Sequence, residues 1–174
     1  MPRMDLKVKT LVDAWHWSYL DVEMAFDGMS HRTLHQRPHA QVPSVAEMVA
    51  HTVYSEASIV LRYLLGIPKG QWGDDPMLRE PYGWPPRILA EPSPGWLLEL
   101  DPPAVKERWL AQHARFLGAM SEFALAPDHR FDDEWTEAAP DVETRLRFAA
   151  YHVAYHVAQI YSNRHFLGEE TPDN

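Results

Sequence analysis

Residues 141–168 read DVETRLRFAAYHVAYHVAQIYSNRHFLG, and this stretch predicts one long helix from near Asp141 to Leu167-Gly168. No Pro or Gly interrupts it before Gly168, the residue type that usually closes a helix. On a wheel of about 100° per residue, Arg145, His152, His156, Gln159 and Asn163 form one polar row. Ala149, Val153, Ile160 and Leu167 flank that row on one side, and Phe148 and Phe166 on the other. A polar row in an apolar frame is expected to be at least half buried, where polar groups need partners.

Working outward, three further helical stripes appear. From Val8 to Met29 the apolar positions Val8, Leu11, Val12, Trp15, Tyr19, Val22, Phe26 and Met29 recur at three- and four-residue steps. A second helix is predicted from Ser44, where Ser44 and Glu47 fit a capping box, to Leu65 and the stop at Gly66. A third follows Pro102-Pro103, carries Val105, Trp109, Phe116, Leu117 and Met120 on one side, and ends before Pro127. Alternating β patterns are nearly absent.

Between the second and third helices, residues 66–103 hold nine of the 15 prolines and five of the eight glycines. Such a stretch forms neither a long helix nor a central strand. It also carries Trp72, Tyr82, Trp84 and Trp96, which suits a segment packed over the helices, either as a pocket wall or as a cover for the core. Ser93-Pro94 is placed to open a short helix through Leu100. The predicted fold is all-α: one domain over residues 1–174, a four-helix bundle with a long Pro- and Trp-rich crossover.

Composition narrows function by exclusion. The sequence contains no Cys, so thiolate zinc sites, iron–sulfur clusters, a catalytic Cys and disulfides are ruled out. A net charge of -9 with no Lys/Arg run disfavours nucleic acid. Neither an apolar stretch of membrane-spanning length nor an apolar signal core is present, so a cytoplasmic protein is expected, without nucleic-acid or membrane partners.

His152 and His156 are four residues apart, one turn along a helix face, a spacing that lets both imidazoles reach one metal ion. A zincin motif would need Glu after the first histidine, and position 153 is Val. The Glu-x-x-His pairs of a ferritin-like di-iron site are absent. For a third ligand the residues offer His51, His16 and His113. Periodicity alone exposes His51, about 140° from its helix's apolar centre, although a helix with two packed faces could bury it beside small Ser55 and Ser58. His31, His35 and His39 read as solvated linker residues, and His129 and His165 as surface residues. Glu47, Arg145, Tyr155 and Asn163 are further candidates for the site. The residues themselves leave the third ligand open.

The pattern Ser44-Val45-Ala46-Glu47-Met48-Val49-Ala50-His51, an irregular crossover, and then His152-x-x-x-His156-x-x-Gln159-Ile160 resembles the DinB/YfiT-like superfamily. That resemblance implies a four-helix bundle in which three histidines bind a divalent metal, usually zinc or nickel. Carried onto this sequence, the ligands are His51, His152 and His156. It also implies a homodimer, an expectation to which small Ala46, Ala50 and Ala57 on the second helix add. Three neutral histidines leave a coordination position open, as in catalytic rather than structural zinc. Relatives of this kind transfer or isomerise with low-molecular-weight thiols, which implies a thiol and a small electrophile as substrates. A metal-dependent hydrolase and a non-catalytic, stress-associated metal-binding protein are the alternatives. Glu47 is a candidate base and Arg145 a candidate anchor for a substrate carboxylate; a cap and a plain ion pair are their bland readings.

Overall fold

The structure, a computed structural model, describes residues 4–79, 82–83 and 89–172. The described residues are helical or irregular, with a single isolated bridge between Arg130 and Asp141. The helices are α1 (Leu6–Trp17), α2 (Val22–Phe26), α3 (His31–His35), α4 (Val45–Ala57), α5 (Gly95–Leu98), α6 (Pro102–Met120) and α7 (Val142–Phe166). α4 runs on into a π-helical stretch, Ser58–Leu64.

Helix starts follow the side chains that can satisfy orphan backbone N–H groups. Asp5 accepts from the N–H of Lys7, Asp101 from Ala104 and Asp141 from Thr144. The Ser44/Glu47 capping box is present in full. At the other end of that helix Gly66 sits at φ 68°, a left-handed conformation that glycine adopts without steric cost. The N–H of Ile67 then reaches the carbonyl of Leu61 at 2.7 Å.

α1 packs along α7, and α4 packs against both α6 and α7. The core between them holds Trp15, Trp109, Phe116, Leu146, Val153 and Ile160, all fully buried. Truncating either tryptophan to alanine would cost about 3–5 kcal/mol. The crossover adds Trp72, Met77, Tyr82 and Leu97 to this interior, with Trp72 edge-on to Tyr54 at 5.7 Å. It therefore packs over the bundle as expected, and α5 lies inside the span where a short helix was expected. Trp84 lies outside the described residues.

Several expectations need correction. The first stripe is not one helix: its hydrogen bonds tighten to three-residue steps at Ser18, Tyr19, Leu20 and Val22, and Ser18 Oγ turns back to the carbonyl of Trp15. The apolar side stays continuous through this turn, because Tyr19, Val22, Phe26 and Met29 are all buried. The third helix ends before Pro127 as expected, at Met120, and Ser121 Oγ bonds to the carbonyl of Gly118 there. The linker histidines are not all loop residues. Ser30 caps α3, Leu34 is buried, and the His35 ring bonds to the carbonyl of Leu100. Ala46, Ala50 and Ala57 are fully buried within the chain, so they lend no face to a second copy.

Candidate metal centre

α4 is enclosed on more than one side, and this reverses the periodicity reading of His51: only 6 % of that residue is exposed. α7 presents His152 and His156 to it from across the helix interface. Ring centroids lie 5.3 Å apart for His51 and His152, 5.1 Å for His51 and His156, and 4.4 Å for His152 and His156. One ring nitrogen from each of the three lies within 4.8 Å of the others.

Hydrogen bonds orient these rings. His51 Nδ1 lies 2.8 Å from the backbone carbonyl of Tyr82, which can only accept, so Nδ1 carries the hydrogen and the lone pair of the neutral ring falls on Nε2. His156 Nδ1 lies 2.8 Å from the side-chain oxygen of Gln159, with the same consequence. Burial and the neighbouring imidazoles push the pKa of His152 down to about 2, and burial and the neighbouring His51 imidazole push that of His156 down to about 4. Burial lowers His51 as well, against the carbonyl of Tyr82. All three rings are therefore neutral near pH 7, the protonation state a metal ligand needs.

The Nε2 atoms of His152 and His156 stand 3.1 Å apart. Two nitrogens bound to one tetrahedral ion at 2.0–2.1 Å would be separated by about 3.3 Å. Buried His152 Nδ1 has no partner among the described residues, so the surroundings that orient the other two rings do not complete this one. The donor set, its spacing and its neutrality fit a divalent ion.

The triad borders a cleft of about 800 Å³. The π-helical turn supplies Ser58, Ile59, Arg62 and Tyr63, while α7 supplies Phe148, Tyr151, Tyr155 and Gln159. π-helical turns are frequent at functional sites; here Leu65 N–H bonds five residues back to Val60. Phe148 stacks on the His152 ring at 5.5 Å, and Trp135 meets Phe148 edge-on. Among the described lining residues none is Asp or Glu, in a chain that has 25 of them.

A family model of the DinB superfamily matches residues 14–160, a span that includes all three histidines. The chain belongs to the DinB superfamily. No curated protein and no solved structure matches it.

In this DinB chain the other candidates fall elsewhere. The Glu47 carboxylate is 1 % exposed and accepts from Arg37, from Ser93 Oγ and from the N–H of Ser44. Burial alone would raise its pKa, but these donors outweigh burial and hold it below the ordinary glutamate value. Its lone pairs are occupied, it fills the capping-box role, and it is not among the cleft-lining residues. Arg145 is fully buried, yet it turns away from the histidines to a different set of partners. Its guanidinium donates to both oxygens of Asp133 and to the carbonyls of Ala139 and Tyr63, and lies 3.8 Å over the Phe131 ring. It ties the 131–139 loop to the bundle and does not anchor a ligand in the cleft. Asn163 Nδ2 donates to the carbonyl of Pro43, a cleft-lining residue, and does not itself line the cleft. Tyr155 does line it.

His16 and His113 also fall elsewhere, 3.0 Å apart at the α1–α6 contact. There buried Glu56 accepts from Trp15 Nε1 and Tyr19 OH, with His113 Nδ1 3.7 Å away. Gln159 was visible as a member of the polar row, but its bond to His156 was not. The Tyr82 carbonyl had no sequence signal, since any residue has one and 31 positions separate it from His51.

Proposed function

We propose that this DinB-superfamily chain is a metal-dependent enzyme that transfers a low-molecular-weight thiol to a small electrophile, with zinc or nickel as its ion. The observation that carries the reading is a trio of neutral histidines opening onto a cleft whose described lining has no carboxylate. A divalent ion held by the three imidazoles would supply a Lewis acid that lowers the pKa of a bound thiol. Thiol transfer then needs little acid–base help from protein groups. The sulfur forms a bond to an electrophilic carbon, the leaving group departs with its electron pair, and the thiol proton goes to solvent. Hydrolysis is less well served, because the two groups best placed by sequence to move protons or hold a carboxylate, Glu47 and Arg145, are committed to other partners.

The chain's own residues shape and dry the site. Phe148 packs on one ligand ring, Trp135 meets Phe148 edge-on with Tyr63 tilted against it, and Tyr151 and Tyr155 stack with each other at 5.9 Å. These walls favour an apolar, planar electrophile. Arg62 also lines the cleft, where it is paired with Glu134.

The test is to incubate metal-loaded protein with bacillithiol, mycothiol or glutathione and a chloronitroarene, beside the His156→Ala variant. Thiol consumption above the variant's rate with at least one thiol is expected. Equal rates for both proteins with every thiol would overturn the proposal.

A further inference from the structure

Tyr155, Gln159 and His156 form a hydrogen-bonded chain along one face of α7, starting at the cleft and ending on a metal-ligand ring. Gln159 Oε1 lies 2.8 Å from His156 Nδ1, and Gln159 Nε2 donates to Tyr155 OH, also at 2.8 Å. The direction of this chain has consequences at both ends. At the inner end an acceptor faces Nδ1, which places the ring hydrogen there and the lone pair on Nε2, 3.1 Å from His152 Nε2. The reverse amide orientation would leave the hydrogen on Nε2 and close that atom to a metal. At the outer end the phenol oxygen accepts from the amide, so its own O–H must find an acceptor elsewhere. Tyr155 is 46 % exposed and lines the cleft.

We propose that Gln159 is a positioning residue, which fixes His156 in its metal-binding tautomer and at the same time turns the Tyr155 hydroxyl into a hydrogen-bond donor toward an anionic ligand in the cleft. The proposal rests on the metal site described above. An anionic ligand that accepts from Tyr155 completes the chain.

The test uses the full-length protein loaded with Co²⁺, whose absorption bands report coordination, with a chelating dye as competitor and azide as the anionic probe. Gln159→Leu is expected to weaken Co²⁺ binding by about tenfold to a hundredfold. Gln159→Glu, which keeps an acceptor facing Nδ1, is expected to bind as tightly as the parent chain. Tyr155→Phe is expected to keep the Co²⁺ affinity and to weaken azide binding by about tenfold, the loss of one hydrogen bond to a charged group. Circular-dichroism melts of the metal-free variants separate these effects from unfolding. Unchanged Co²⁺ affinity in Gln159→Leu, or equal losses in the Leu and Glu variants, would overturn the positioning role. Unchanged azide affinity in Tyr155→Phe would overturn the donor role. A parent chain that binds no Co²⁺, or binds it equally after His152→Ala, would sink the metal reading itself, which is a different outcome from the other two.

Discussion

Arg37 grips Glu47 through a two-pronged ion pair, Nε to Oε2 at 2.9 Å and Nη2 to Oε1 at 2.6 Å, at the start of the helix that carries His51. The same carboxylate closes the capping box and holds Ser93 of the crossover, while Arg37 also donates to the carbonyl of Glu91. One buried anion thus fastens three segments. Glu47→Ala should lower the unfolding free energy by about 2–3 kcal/mol, the cost of a lost charge-assisted bond and a cap, with Arg37 still partly solvated. Metal stoichiometry should stay at the parent value. Urea titration and metal analysis of one preparation check both.

Glu47 also sets a pH dependence. Its carboxyl is held below the ordinary glutamate value in the folded chain, so the unfolded chain takes up a proton first as pH falls. The stability it contributes is complete above about pH 4.3, the ordinary value, and is lost as pH falls through the folded-state value. Unfolding free energy measured between pH 3 and 6 should therefore drop less steeply in Glu47→Gln than in the parent.

Metal occupancy is expected to depend on all three histidines. His51→Ala, His152→Ala and His156→Ala should each lose bound metal on gel filtration, whereas His113→Ala should retain it. His113→Ala should instead destabilise the fold by about 2–4 kcal/mol, because that 3 %-exposed ring stacks on Tyr19 at 3.6 Å. Retained metal in His51→Ala with loss in His113→Ala would assign the third ligand to α6.

Metal removal should be visible as lost stability. With free metal at a hundred times its dissociation constant, binding adds about 2.7 kcal/mol, so chelation should lower the melting temperature by about 5–10 °C. A melting temperature indifferent to added divalent metal and to chelator would contradict a metal site in the native chain.

Arg145→Ala should cost about 3–5 kcal/mol, since it leaves Asp133 and two carbonyls without their donor. Lysine should not restore that loss, because its ammonium cannot span the fork to both Asp133 oxygens and lie flat on Phe131. Chemical denaturation of the two variants measures the difference, and full metal binding in Arg145→Lys is expected alongside it.

The sequence by itself determined whatever depends on near neighbours along the chain. Helix caps at Asp5, Ser44, Asp101 and Asp141, the stop at Gly66, and the one-turn spacing of His152 and His156 all involve partners within a few residues. Those features follow from helical periodicity and local hydrogen bonding, so the all-α class and two of the three candidate ligands were legible. Tertiary packing decided the rest. Whether His51 faces solvent or a second helix depends on what covers α4, and its own periodicity pointed the wrong way. Glu47 and Arg145 looked available because their partners, Arg37 with Ser93 and Asp133 with two carbonyls, come from loops that no helical pattern registers. The tautomer of His51 is set by a main-chain carbonyl brought from the crossover, a contact that exists only once the crossover is packed on the bundle.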